Sequence, residues 1–210
     1  MTPSRKKHNT ILHTHDLPAD VLLGKEIAID TEAMGLNNHR DRLCLVQLTD
    51  GNGDVHMVQF KANLYNAPNL VNVLRDDARI KIFHFARFDV AILKQYLKVD
   101  TNNVFCTKIA SKIARTYTQD HGLKSLLRDL LAVDISKASQ SSYWGADILT
   151  QSQLQYAAAD VIYLHELRNK LLDLLTREGR LELVMSLMKL PLTAANLDLS
   201  GWSIAEVINH

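Results

Sequence analysis

Short apolar runs alternate along the chain with stretches of helical spacing, and their order predicts an architecture. EIAIDT (26–31) reads as a first strand, RLCLVQLTD (42–50) as a second and VHMVQF (55–60) as a third. The intervening DGNGD carries the Asp-Gly and Asn-Gly chemistry of a tight hairpin. APNLVNVLRDD predicts a helix entered near Pro68. KIFHF (81–85) is the fourth strand, and ARFDVAILKQYL follows at once with Phe88, Ile92 and Tyr96 at helical spacing. VFC (104–106) is a short fifth strand leading into TKIASKIART, and GLKSLLRDLL is an amphipathic helix opened by a glycine turn. After the polar loop ISKASQSSYWGAD, the pattern predicts one long helix over about 151–176, with Thr150 as its N-cap. A further helix over roughly 178–189 is expected to end at Pro191.

Three antiparallel strands followed by strand–helix units predict an α/β fold, a five-stranded mixed sheet flanked by helices. Residues 1–20 read as a polar N-terminal arm; its His13-Thr-His15 lacks the further ligands a metal would need. Residues 21–176 form the expected main domain. Residues 177–210 form a C-terminal helical extension, packed through Trp202 and its apolar neighbours on the domain or on another subunit.

Composition narrows the class of function. A chain of 210 residues with 47% hydrophobic content can build one sizeable core. Twenty-four basic residues against 23 acidic ones leave a formal charge of +1, which disfavours a protein that grips long nucleic acid by counterion release. Cys44 and Cys106 stand far apart without CxxC spacing, as small core residues of a reduced protein do. No long apolar run follows the basic start MTPSRKKHNT and none reaches membrane-spanning length, so a soluble, cytoplasmic protein is expected.

The acids carry the chemistry. Asp30 and Glu32 lie two apart at a strand end, so their side chains share a face and repel. Asp89 follows the fourth strand, and Tyr156 and Asp160 share one face of the late helix. Asp160 is flanked by alanine, valine and isoleucine, where an unpartnered charge is costly. The missing positive charge is either a basic side chain (Arg40, Arg42 or Arg87) or divalent cations, which hard carboxylate oxygens bind well.

In this order, Asp30-x-Glu32, Asp89 and Tyr156-x-x-x-Asp160 resemble the motifs of DEDD-type 3′→5′ exonucleases of the tyrosine subclass. GLKSLLRDLLAVDISK, SSYW and LTQSQLQYAAADVIYL extend the likeness to the ribonuclease D family. HRDRLCLVQL, FCTKIASKIARTYT and NLDLSGWS are most similar to its compact nanoRNase C branch. The chain departs from the commoner pattern at Phe85, where asparagine usually follows the histidine, and at Cys106 and Tyr143, where aspartate often stands.

The resemblance implies a ribonuclease H-like exonuclease fold and two Mg²⁺ or Mn²⁺ ions about 3.5–4 Å apart. Asp30 would bridge both ions, Glu32 and Asp160 would hold the first, and Asp89 would support the second; Tyr156 would orient the attacking water. It also implies short RNA as substrate (dinucleotides and oligoribonucleotides cut to nucleoside 5′-monophosphates) and a homo-oligomer, an octamer built from dimers. Trimming of structured RNA 3′ ends and cleavage of DNA are the alternatives. Expected substrate contacts are Thr31 and His84, Leu36 as a wedge between bases, and Lys137, Gln140, Ser141 and Ser142 as donors to a 5′ phosphate.

Overall fold

The computed structural model describes residues 8–21, 23–135 and 142–209. Its strands are β1 (Asn9–Thr14), β2 (Glu26–Ala33), β3 (Leu43–Thr49), β4 (Asp54–Gln59), β5 (Ile80–Phe83) and β6 (Val104–Cys106). They form one mixed sheet in the order β1-β4-β3-β2-β5-β6, six strands rather than the expected five. The additional strand comes from the supposed polar arm: β1 runs parallel to β4 along the sheet edge. β2–β3 and β3–β4 are antiparallel, whereas β2–β5 and β5–β6 are parallel.

All seven residues of β3 are buried, because strands flank it on both sides and helices cover it. The hairpin between β3 and β4 forms as its glycines predict, with Gly51 and Gly53 at φ 85° and 112°. The helices are α1 (Pro68–Arg75), α2 (Ala86–Leu97), α3 (Thr107–Ala114), α4 (Leu123–Leu131), α5 (Gln151–Val161), α6 (Leu164–Arg177), α7 (Leu181–Leu187), α8 (Leu190–Leu199) and α9 (Ile204–Ile208). None of them is long and apolar enough to cross a membrane.

Thr150 caps α5 as expected: its Oγ1 accepts from the Gln153 amide at 3.2 Å, and Gln153 Oε1 accepts from the Thr150 amide at 3.0 Å. The long helix expected over 151–176 is instead two helices, breaking at Ile162 and Tyr163. α5 packs across β2 and β3, while α6 is tied to the beginning of β2 through His165 Nε2 and the Glu26 carbonyl at 3.0 Å. The helix expected over 178–189 is α7, which ends at Leu187, before Pro191, and Pro191 then opens a further helix. This proline sits in the first turn of α8, where its missing N–H costs nothing. α8 lies against α2. There Arg87 donates from Nε and Nη2 to both carboxylate oxygens of Asp198, at 2.6 and 2.5 Å.

Candidate active site

β2 carries Asp30 and Glu32 to its carboxyl end, and its pairing with β3 shifts register between Glu32 and Ala33. Asp30 lies opposite Gln47 of β3, whose amide Nε2 donates to Asp30 Oδ2 at 2.7 Å. α5, packed on the same strands, brings Asp160 alongside. Asp30, Glu32 and Asp160 each place a carboxylate oxygen within 4.8 Å of the other two. Asp89, in the first turn of α2, is almost fully buried at 3% exposure and accepts a 2.6 Å hydrogen bond from the Thr31 hydroxyl. The Tyr156 hydroxyl donates to Asp160 one turn further along α5, and the Trp144 ring lies 6.1 Å from the Tyr156 ring.

Burial dominates the electrostatics of this cluster. It pushes Asp30 well above the ordinary carboxylate range, reinforced by Asp89, Asp160 and Glu32. Glu32 rises to about 9 from burial and the repulsion of Asp160 and Asp89. Asp89 rises to about 7, burial outweighing the Thr31 hydrogen bond. Asp160 also rises to about 7, burial outweighing its bond from Tyr156. The Tyr156 hydroxyl is raised by burial and by three neighbouring carboxylates, so it holds its proton more firmly than a free tyrosine.

Among the described residues, basic side chains do not supply the missing charge. Arg87 is bound to Asp198, Arg40 to Asp41, and Arg42 donates to the carbonyls of Phe60 and Gly145. Among the described residues none of the four acids belongs to an ion pair with a basic side chain. Crowded carboxylate oxygens, with the Gln47 amide, the Thr31 and Tyr156 hydroxyls and backbone amides as donors, fit hard divalent cations such as Mg²⁺ or Mn²⁺.

The other expected residues are placed unevenly. Thr31 is committed to Asp89. Leu36 stands 87% exposed on the turn after β2. That turn depends on Gly35, because an added Cβ would lie 2.3 Å from Asp41 Oδ2, which accepts from the Asn37 amide at 2.9 Å. His84 is held by Nδ1 against Thr107 Oγ1 at 3.0 Å, and burial lowers it to about 3. The Thr107 hydroxyl donates to the Phe83 carbonyl, so it accepts from Nδ1–H, and the neutral ring is left with Nε2 as acceptor. Ser142 is half-buried; Lys137, Gln140 and Ser141 lie outside the described residues. Sequence reasoning missed Gln47 and Thr107. For Gln47 a signal existed: one amide in the otherwise apolar run LCLVQL.

Four acids and a tyrosine at the carboxyl ends of a mixed sheet define the DEDD class of phosphodiester exonucleases in its tyrosine subclass. The comparisons agree. A family model described as 3'-5' exonuclease matches residues 11–176. The ribonuclease D of Gluconacetobacter diazotrophicus is 35% identical over 160 residues, covering 76% of this chain and 40% of that protein. That of Granulibacter bethesdensis is 32% identical over 180 residues, covering 84% and 45%. The chain thus spans less than half the length of these curated relatives. The structure of Brucella melitensis NrnC bound to pGG superposes with a TM-score of 0.92 at 47% identity, covering 97% of this chain and all of that one. NrnC with bound Mg²⁺ gives 0.91 at 46%, covering 96% and 98%. The chain belongs to the 3′→5′ exonuclease family, in its ribonuclease D branch.

Proposed function

We propose that this protein is a cytoplasmic, divalent-metal-dependent 3′→5′ exoribonuclease that cuts dinucleotides and short oligoribonucleotides to nucleoside 5′-monophosphates. The observation that carries this reading is the convergence of Asp30, Glu32, Asp89 and Asp160 beside Tyr156, with no basic side chain paired to them among the described residues. Mg²⁺ or Mn²⁺ held there neutralises phosphate charge and makes water a stronger nucleophile.

Each residue then has a task. Asp30, Glu32 and Asp160 would hold the cations, and Gln47 keeps Asp30 oriented. Asp89 completes the set, positioned by the Thr31 hydroxyl. Tyr156 keeps its proton; with cations on Asp160 it would turn that O–H to the attacking water and orient it, rather than act as a base.

Short RNA suits this chain for three reasons. Its near-zero charge offers little grip on a long polyanion. Leu36 presents an apolar edge that can enter between two bases without reading sequence. One similar structure, that of NrnC, holds pGG, a short ligand. Ribonuclease D-like trimming of structured RNA is the second reading, favoured by the names of the curated relatives. DNA is the third, because chemistry centred on phosphate does not itself read the 2′-hydroxyl.

Time courses with labelled RNAs of two, three, five and seven nucleotides, and with matching DNA, separate these readings in Mg²⁺ and in Mn²⁺. Cleavage fastest on the dinucleotide is expected. Equal rates at every length would remove the dinucleotide specialisation, and cleavage confined to long structured RNA would favour trimming.

A further inference from the structure

Phe85 is the non-glycine residue of the site region whose backbone is hardest to justify by packing. It precedes α2 at φ 70° and ψ 42°, the left-handed region, which a bulky side chain rarely occupies. Asparagine, the commoner residue after this histidine, tolerates that conformation well. Phenylalanine therefore accepts backbone strain here, and its ring gains little core burial in return, being 49% exposed. Strain held without a packing reward marks positions where the side chain does something else.

The surroundings indicate what. Phe85 lies one helical turn before Asp89, and its carbonyl accepts from the Phe88 amide at 3.3 Å. The Lys108 ammonium sits over the Phe85 ring, 4.0 Å from its centroid. Lys108 follows Thr107, the residue that fixes His84, so residues 84, 85, 107 and 108 form one cluster at the carboxyl ends of β5 and β6. Ligands of open α/β sheets gather at such ends. An exposed aromatic face beneath a lysine ammonium matches the two chemical halves of a nucleotide, a flat base and an anionic phosphate.

The geometry points to Phe85 and Lys108 as a nucleotide-binding platform: the Phe85 ring stacks one base of the substrate while the Lys108 ammonium moves from the ring to a backbone phosphate. This deepens the proposed function and rests on it. An exposed cation–π contact is weaker than base–aromatic stacking, and the ammonium gains a phosphate in the exchange, so the swap favours the bound state. In the free protein the same contact covers an otherwise bare ring.

The test is equilibrium binding of dinucleotides carrying 2-aminopurine at either position, with Ca²⁺ as the cation, read by stopped-flow fluorescence. Stacking on an aromatic ring quenches this base. The full chain should bind with strong quenching at one of the two positions. Phe85→Asn, which suits the left-handed backbone, should abolish that quench and weaken binding about tenfold, while Phe85→Trp should retain both. Lys108→Gln should weaken binding and flatten the dependence of log Kd on log salt by about 0.7. Binding by the wild-type chain without quenching at either position overturns the platform, as does a Phe85→Asn affinity within twofold of wild type. Cleavage of the unlabelled dinucleotide in Mg²⁺ is scored separately. Cleavage without quenching rejects the platform alone, whereas absence of both binding and cleavage rejects the platform together with the proposed function.

Discussion

Tyr156 and the acids show how burial sets the protonation of individual residues. A tyrosine whose hydroxyl is raised above its ordinary value can donate a hydrogen bond but is a poor proton acceptor. Tyr156→Phe should therefore keep the melting shift caused by Mg²⁺ and lose about 10²–10³ in turnover, the range of a positioned catalytic group. A near-normal rate in steady-state assays would reject its role. The carboxylates give a pH prediction with a definite sign. Glu32, Asp89 and Asp160 have folded values of about 9, 7 and 7, against ordinary carboxylate values of 4.5, 3.8 and 3.8. Groups raised in this way stabilise the fold below their unfolded values, and that contribution disappears as pH climbs through the folded ones. Between about pH 6.5 and 8 the metal-free protein should lose stability through these acids. Below that window His84, lowered to about 3, works in the opposite sense, and above it Lys81, lowered to about 8, does the same. Cations bind the ionised acids, so the melting shift on adding Mg²⁺ should grow from about pH 6.5 to 8, with proton uptake by the buffer in calorimetry. A pH-independent shift would mean that the cluster is not the binding site.

At the scale of elements, what the sequence revealed was whatever is decided locally. EIAIDT, the DGNGD hairpin and the Thr150 cap are short-range features, and each forms where the residues indicate. β1 was illegible because NTILHT is an edge strand whose parallel partner lies some forty residues away, with only part of its surface buried. The break between α5 and α6 was equally hidden, since QYAAADVIYLHELR contains no glycine or proline. The division follows from tertiary anchors at opposite ends of β2: Asp160 joins the acids at one end, while His165 and Arg168 hold Glu26 at the other. The acids were legible because their spacing is unusual. Thr107 was not, because its partner His84 lies 23 positions earlier. α8 adds an anchor beyond the family-matched residues 11–176, through Asp198 and Arg87 on the helix that carries Asp89. Asp198→Ala should cost about 0.5–1 kcal/mol after solvent screening, a melting shift of a few degrees by thermal denaturation. Exchanging the two charges by Arg87→Asp with Asp198→Arg should recover part of it; a loss unchanged by the exchange would assign the effect to packing.

For the whole molecule, the C-terminal helices are the surface still to be accounted for. Leu183, Met185, Leu190, Trp202, Val207 and Ile208 all present more than a third of their surface to solvent, Trp202 as much as 61%. Scattered apolar residues are ordinary, but six within 26 positions of chain (183–208) are more than one surface normally exposes. We propose that these helices are a subunit contact of a homo-oligomer. Light scattering at micromolar concentration should give a mass several times that of one chain, and Trp202→Ser with Ile208→Ser should lower it. A wild-type monomer under those conditions rejects assembly.

One consequence of the sheet order concerns timing. The acids come from positions 30, 32, 89 and 160, on a central strand, a helix that follows its parallel neighbour, and a helix from the last third of the domain. Parallel pairing of β2 with β5 joins distant stretches of chain and is slow to form, and α5 cannot dock before the β2–β3 surface exists. A nascent or partly folded chain whose α5 has not docked therefore lacks Asp160 and holds an incomplete set of the acids. The enzyme would be harmless to RNA, including the message being translated, until folding is complete.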